Sequence, residues 1–510
     1  MPKTNNPLLD LLKGRAEVNA NLEVHLSERD GASLHDKMRQ AYWWIVNNAI
    51  ICPYYDIEFG ARSRLKNAAG DELILHDDQS FSSFVLIPML TLFTCRRALM
   101  VGGPGRGKTS SAILMALLSG MSKEDTRRSI QRGHPQLTIS DLLGAPLPAD
   151  MMKAESAKDI KVAWRNWIGQ RVKIIDEYNR IPTKTQSALL SLMGEGYAEM
   201  FDQYVYSGKS SWFLTANDDA GGGTFQVIEA LKDRIDVVVR AVPFNSGFIH
   251  ALLQRIESDK NPEDLIPGEI IFTARELEAI YKAILAVQVP APVMDRLAFF
   301  MGQLDFCRMA SSQFEYKSKD TLKLAGQGVG AVCNEQCPLD KKVHLCTQTE
   351  NGVSARSFQT ALHFMKALAY FRGHTQVEIE DMRQILPWVL HDKLVPNTRS
   401  LFFEGKGQRQ LLQDRVAWIR NMVDMSHEQF SRHEPVRREV TALRQELDLG
   451  LNGVDLRTVE KRLGAVSAAM DRLMKAELSP PAYEDLIHLK SIYSRYRNYA
   501  AWLKSNRAHA

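Results

Sequence analysis

The chain has 510 residues, room for two to four domains, and its 45% hydrophobic content is that of ordinary globular protein with sizeable cores. A net charge of +4 is too small to identify a nucleic-acid binder, and six cysteines in this length do not build a disulfide scaffold. The longest apolar run, Phe84 to Phe93, is ten residues interrupted by Pro88, whereas a membrane span needs about 20.

Met1-Pro2-Lys3-Thr4-Asn5-Asn6 has no apolar h-region, so no secretory signal is expected and a soluble, cytoplasmic protein is. Residues 1–75 read as an N-terminal segment in which Ala41, Trp44, Ile45 and Ala49 fall near helical spacing and nothing looks catalytic. From Leu73 to about Pro243, short apolar runs alternate with helical patterns, which points to a parallel α/β sheet over residues 76–243. The strand candidates are Ala98–Val101, Val172–Ile175, Trp212–Thr215 and Val237–Arg240.

The first of these strands runs into Gly102-Gly103-Pro104-Gly105-Arg106-Gly107-Lys108-Thr109, which fits the phosphate-loop pattern at every position. Small residues let the backbone curl so that its N–H groups face phosphate oxygens. Lys108 can reach the β and γ phosphates, and Thr109 can place its hydroxyl on Mg2+. Ser110 opens a run to Leu118 with Ile113, Leu114 and Leu117 at helical spacing, and Gly120 is a natural stop. Strand, glycine loop and helix are the context that the motif requires, with the helix N-terminus aimed at the phosphates.

Val172-Lys173-Ile174-Ile175-Asp176-Glu177 is a strand ending in two acids. Asp176 is placed to hold Mg2+ beside the loop, and Glu177 to act as the base on the attacking water. A simple solubilising cap is the bland alternative. Trp212-Phe213-Leu214-Thr215-Ala216-Asn217 ends in an amide that can bond a γ-phosphate or orient water, although Asn is also a common turn residue.

Together with Asp176-Glu177-Tyr178-Asn179-Arg180-Ile181-Pro182 and Lys184-Thr185-Gln186-Ser187-Ala188-Leu189-Leu190, these motifs resemble the AAA+ ATPases of the MoxR group, a helix-2-insert clade. Tyr178 stands where that group usually has isoleucine, a change that should affect packing more than chemistry. Leu137-Thr138-Ile139-Ser140-Asp141-Leu142-Leu143-Gly144 is similar to the segment before the group's insert. The resemblance, over roughly residues 75–400, implies an α/β P-loop core carrying Walker A and Walker B motifs and an α-helical lid. It implies ATP and Mg2+ as cofactors. It also implies a helix-2 insert within 133–165 and a β-hairpin over 197–211 turning near Ser207-Gly208, both facing the pore or the partner.

By the same resemblance, Leu231-Lys232-Asp233-Arg234-Ile235-Asp236 makes Arg234 an arginine finger for a neighbouring subunit, worth about 10³–10⁵ in rate. The bland alternative is an ion pair of Arg234 with Asp233 or Asp236. Residues 244–400 read as a helical lid domain. Gly352-Val353-Ser354-Ala355-Arg356-Ser357 opens its amphipathic helix, with Phe358, Leu362, Met365 and Ala369 on one face, and Arg356 matches sensor 2. Covering apolar surface with its stem is the other reading of Arg356.

An irregular insert at about 317–352 interrupts the lid, and four cysteines fall in or near it: Cys307, Cys333, Cys337 and Cys346, with His344 beside the last. Their spacing is compatible with a structural Zn2+ site in a reducing compartment, but the usual two-residue spacing is missing and the fourth ligand is ambiguous. Free thiols are the competing reading.

Residues 401–510 read as a helical C-terminal domain for partner docking or packing, broken at Gly450–Gly453 and Ser479-Pro480-Pro481. It holds 18 Lys plus Arg against 14 Asp plus Glu, so the chain's whole net charge sits there. Tyr493, Tyr496, Tyr499 and Trp502 recur among Arg495, Arg497, Lys504 and Arg507. Such a stripe suits either nucleic acid or a neighbouring helix.

The resemblance implies a homo-oligomeric ring, the six-membered one usual for such ATPases, that remodels a protein partner, with a von Willebrand A domain protein as the candidate. A nucleic-acid motor or loader and a nucleotide-dependent scaffold of a defence system are the alternatives, and no residue here reads the base of the nucleotide.

Overall fold

Five short apolar runs become the parallel strands of one sheet: β1 Arg97–Val101, β2 Ile130–Arg132, β3 Val172–Asp176, β4 Ser211–Ala216 and β5 Val237–Arg240. Their order across the sheet is β5-β1-β4-β3-β2, a parallel α/β core. The central strands are buried on both faces, which is why they read as continuous hydrophobic runs rather than alternating ones. β2, with the sequence Ile-Gln-Arg, gives no such signal and is the strand that sequence patterning misses.

The computed structural model describes residues 34–50, 54–152, 155, 160–217, 229–241, 246–257, 261–447, 450–451, 453–475 and 480–508. Met1–Asn6, parts of the expected insert within 133–165, and Ser479 lie outside the described residues. Two compact units are present, Met1–Val289 with Arg356–Val389, and Pro290–Ala355 with Leu390–Ala510.

In the first unit, helix α1 (Leu34–Trp44) buries Ala41 and Trp44, and a π-helical turn, Ile45–Ala49, continues its burial. The Tyr42 hydroxyl accepts the Ser82 N–H at 2.7 Å, and its ring meets Phe81 and Phe371 edge-on. The run around Pro88 is helix α2 (Ser83–Thr94), buried throughout. Pro88 is the sixth residue of this helix, so the helix continues through it at the cost of one backbone bond to the Phe84 carbonyl. No helix among the described residues is long and apolar enough to cross a membrane. Helix α3 (Lys108–Leu118) follows the glycine loop and stops at Gly120, which has φ 80°. Helix α4 (Thr183–Gly194) packs Leu189 and Leu192 into one apolar cluster with Trp167, Trp212 and Tyr178, so Tyr178 is a core residue.

Two local expectations are corrected. The hairpin pairs Tyr197–Met200 with Gln203–Tyr206 and turns at Phe201-Asp202, not at Ser207-Gly208. Both turn residues have positive φ, 52° and 56°, the geometry whose twist matches paired strands. Along the lid helix α6 (Ala355–Phe371), Phe358 and Leu362 are only half-buried. Met365 and Ala369 are fully buried as expected, and the buried face extends from them to Ser357, Ala361, Phe364, Leu368 and Phe371, lying to one side of the expected stripe because polar Ser357 and Thr360 face inward to meet partners.

One of those partners is Asp236, just before β5 and wholly buried. Its carboxylate accepts the backbone N–H and Nε of Arg97 at 2.9 and 2.7 Å and the Thr360 hydroxyl at 2.5 Å, with Arg96 at 3.6 Å. Burial pushes its pKa up, but Arg97, Arg96 and Thr360 outweigh that and hold it below the usual carboxylate value. This group ties β1, β5 and α6 together.

In the second unit, helices Leu456–Lys475 and Pro480–Ala508 pack along Val459, Leu463 and Val466 against Leu489, Ile492 and Tyr496, beside the long helix Arg415–Leu447. Tyr496 is fully buried with its hydroxyl accepting from Arg462, while Trp502 is exposed and stacks on Tyr499. The aromatic repeat is therefore spent largely on helix packing.

Asp236→Ala leaves two arginines without their buried counter-charge and is expected to cost about 3–5 kcal/mol in denaturant unfolding. The folded pKa is depressed, so this stabilisation is full above the unfolded carboxylate value, about 3.9, and is lost as pH falls through the folded one. The gap between wild type and variant should therefore shrink in strong acid. An undiminished gap would rule out the ion pair as its source.

Candidate functional site

Pairing register sets the site. Leu214 of β4 lies opposite Leu99 of β1 and Ile175 of β3, and Ala216 lies opposite Val101. The carboxyl ends of three adjacent strands are thus level, and the glycine loop, Asp176-Glu177 and Asn217 emerge side by side, as ligand-binding residues do in open α/β sheets.

The loop is shaped to present backbone. Gly107, the N-cap of α3, has φ 76°, a conformation that side chains with a Cβ rarely adopt. A side chain at Gly105 or Gly107 would meet no protein atom within 4 Å, so the outer side of the loop is open. Pro104, Gly105 and Ser110 are exposed, and Gly102 and Gly103 lie further in. Arg106 lies over Gly103 and donates to the Ala241 carbonyl at 3.4 Å.

Lys108 is buried at 7% exposure, and its ammonium donates to the carbonyls of Gly102 and Gly103 at 2.5 and 2.8 Å and to Asn217 Oδ1 at 3.0 Å. Asn217 Nδ2 in turn donates to Glu177 Oε1 at 3.1 Å. On the other side, Thr109 Oγ1 donates to Asp176 Oδ1 at 2.8 Å, and Thr215 Oγ1 donates to the same oxygen at 2.6 Å. The Glu177 N–H donates to Thr215 Oγ1 at 2.9 Å, and Arg180 lies 3.3 Å from the Glu177 carboxylate. Lys108, Asn217, Glu177, Asp176 and Thr109 are therefore in one hydrogen-bonded group, linked through Thr215. The donor set at Thr109 and Asp176, hard oxygens beside an open glycine loop, fits Mg2+ carried with a phosphate.

Glu177 adopts φ 55°, unusual for a residue with a side chain. Gly133 holds it there. The Gly133 N–H donates to the Asp176 carbonyl at 2.7 Å, and a Cβ at Gly133 would lie 2.2 Å from the Glu177 carbonyl oxygen. Sequence reasoning missed Gly133, for which no local signal exists. It also missed Thr215, whose signal is a hydroxyl in an otherwise apolar strand.

Arg234 ends helix α5 (Glu229–Arg234). It is half-buried against Gly194, donates to the Ala230 carbonyl at 3.1 Å, and has its Nε without a partner. The ion pair with Asp233 or Asp236 does not form: Asp233 pairs with Arg356, and Asp236 with Arg97 and Arg96. Arg356 itself is a third exposed in that pair. Cys307, Cys333, Cys337 and Cys346 lie in the second unit, and no disulfide joins them.

Comparison with known proteins agrees with the core geometry. Residues 97–237 match the ATPase family associated with various cellular activities (AAA), and residues 342–415 match an AAA lid domain. The core is thus an AAA core with a lid, which supports ATP hydrolysis at the general level. Among solved structures, the chain is similar to the crystal structure of a candidate ATPase from Cytophaga hutchinsonii, at 15% identity and a TM-score of 0.48, over 81% of this chain and 98% of that one. No curated protein matches.

Gly133→Ala is expected to displace the strand end that carries Glu177 and to slow ATP hydrolysis by about 10²-fold, the scale for displacing a catalytic group by about 1 Å. Nucleotide affinity, measured by fluorescent-analogue titration, should change far less. Equal losses in both would mean that Gly133 supports the whole fold rather than Glu177.

Proposed function

We propose that this protein is a MoxR-like AAA+ ATPase that assembles as a ring, hexameric as such rings usually are, and uses Mg-dependent ATP hydrolysis to remodel a protein partner. The observation that carries this reading is the closed set of hydrogen bonds from Lys108 through Asn217 to Glu177, and from Thr109 through Asp176 and Thr215 back to Glu177. Phosphate binding alone does not require a carboxylate aimed and oriented in this way.

On this reading the N–H groups of the glycine loop and Lys108 hold the phosphates. Thr109 and Asp176 hold Mg2+, which when bound neutralises charge on the β and γ oxygens. Glu177 takes the proton from the attacking water. Asn217 fixes the carboxylate, with the Arg180 guanidinium 3.3 Å from it. Arg234 reaches the site of a neighbouring subunit, which is consistent with a guanidinium that has no acid partner in its own chain among the described residues. Arg356 acts from the lid. Its pair with Asp233 is partly solvated, so exchanging Asp233 for a γ-phosphate costs little. The hairpin exposes Tyr204 and Tyr206, which suits gripping a polypeptide, and a von Willebrand A domain protein is the partner that the resemblance suggests.

Lys108→Ala should abolish nucleotide binding, whereas Glu177→Gln should bind ATP without hydrolysing it and retain partners in affinity capture. Arg234→Ala should lower kcat by at least about 10³-fold with little change in ATP affinity. Mixing the inactive Glu177→Gln and Arg234→Ala proteins should restore part of the activity, because one subunit supplies Glu177 and its neighbour Arg234. No recovery on mixing would remove Arg234 from a neighbour's site. No Mg-dependent ATPase activity in the wild type would remove the enzyme itself.

A further inference from the structure

The hairpin of Tyr197–Met200 and Gln203–Tyr206 has two unlike faces. Side chains alternate along each strand, so Ala198, Met200, Gln203 and Val205 share one face, and Tyr197, Glu199, Tyr204 and Tyr206 share the other. The first face is anchored. Ala198 is buried, Met200 and Val205 pack against the apolar cluster that holds Trp167 and Leu189, and the Gln203 amide donates to the Ile160 carbonyl.

The second face is open and aromatic. Tyr204 and Tyr206 are 52% and 73% exposed. The rings support one another: Tyr197 meets Tyr204 edge-on with centroids 5.6 Å apart and lies 6.3 Å from Tyr206. Tyrosines held by neighbouring rings offer a large contact area for little further loss of side-chain freedom.

The face is also acidic. Between Gly194 and Gly208 the chain has Glu195, Glu199 and Asp202 and no lysine or arginine, although its net charge is +4. Glu199 lies directly opposite Tyr204 in the strand register. The Tyr197 hydroxyl donates to Glu195 and raises its own pKa by doing so, and the charge of Glu199 raises that of Tyr204, so both phenols stay protonated. Among the described residues no basic side chain is paired with the three carboxylates. Lys209, the next cation along the chain, is turned onto the Tyr281 ring instead.

Ring faces attract ammonium and guanidinium groups, and carboxylates beside them add to the attraction. Phosphates would be repelled, so this face does not suit nucleic acid. Alternate residues of an extended chain lie about 7 Å apart on one side, and Tyr204 and Tyr206 are spaced in that way. We propose that this face binds an extended cationic segment of the protein partner, with arginine or lysine side chains at alternate positions laid over Tyr204 and Tyr206 beside Glu199. The inference rests on the reading of the hairpin as a polypeptide grip, and it adds the chemistry of what is gripped.

The test is fluorescence anisotropy of the full-length protein with labelled peptides of equal length whose alternate residues are Arg, Gln or Glu, and with single-stranded DNA. The titrations are made without nucleotide and in the Glu177→Gln protein with ATP. We expect the Arg peptide to bind tightest and the Glu peptide weakest, with affinity falling as salt rises. Tyr204→Leu/Tyr206→Leu should weaken the Arg peptide by about 5–30-fold. Tyr204→Phe/Tyr206→Phe, which keeps both rings, should retain most of the affinity, and Glu199→Gln should reduce the salt dependence. If the leucine protein fails to fold, the Arg and Glu peptides compared on the unaltered hairpin decide the matter. No binding of the Arg peptide, equal affinity for the Arg and Glu peptides, leucine variants that bind as wild type does, or tighter binding of DNA would each overturn the proposal. Peptide binding needs no turnover, so these outcomes are separate from wild-type ATP hydrolysis, whose absence would remove the enzyme and leave the peptide site standing.

Discussion

The candidate site exists because β4 is in register with two neighbours at once. Leu214 lies opposite both Leu99 and Ile175, and this alignment brings the ends of β1, β3 and β4 level. A slip of one residue on any of the three would turn its buried side chains outward and carry its polar end away from the others. The hydrophobic pattern that fixes the register thereby fixes the chemistry. Thr215 shows how tightly the two are joined, since it sits within the buried strand yet supplies a hydroxyl to both Asp176 and the Glu177 N–H. The network's donors and acceptors satisfy one another, as buried polar groups need.

How much of this could be read in the sequence follows from whether each signal is local. The glycine loop, the acidic strand end and the amide strand end are contiguous patterns whose chemistry depends on spacing, and the structure brings their residues into one group. β2 was not legible, because a three-residue strand with one apolar side chain carries no periodicity and is held by pairing with β3. Gly133 was not legible either. Its requirement comes from the Glu177 carbonyl, 44 positions later in the chain, and not from its own neighbours. The rotated face of α6 has a related cause. Hydrophobicity alone places Phe358 and Leu362 inward, but the helix turns so that Thr360 reaches buried Asp236. The hairpin turn at Phe201-Asp202 was hidden because glycine is the usual marker of positive φ, and here two residues with side chains adopt it.

The segment Asp233-Arg234-Ile235-Asp236 shows how one stretch of chain serves both rigidity and exchange. Asp236 is wholly buried between Arg97, Arg96 and Thr360, and removing any one partner leaves charge without solvent. That carboxylate cannot exchange partners cheaply, so the join between β5, β1 and α6 is fixed. Three residues earlier, Asp233 and Arg356 meet with each side chain more than a third exposed or nearly so. Water competes for both, and such a pair is worth at most about 1 kcal/mol. On the proposed reading, a γ-phosphate that draws Arg356 away therefore meets little resistance, while the end of α6 that holds Thr360 stays anchored. Arg234 lies between these two acids and pairs with neither, its Nε buried without a partner. A guanidinium left in that condition gains more from a phosphate offered by a neighbouring subunit than one already neutralised would. The same four residues thus separate what must stay fixed within a subunit from what must respond to nucleotide, and they do so by burial rather than by any difference in the chemistry of the two carboxylates.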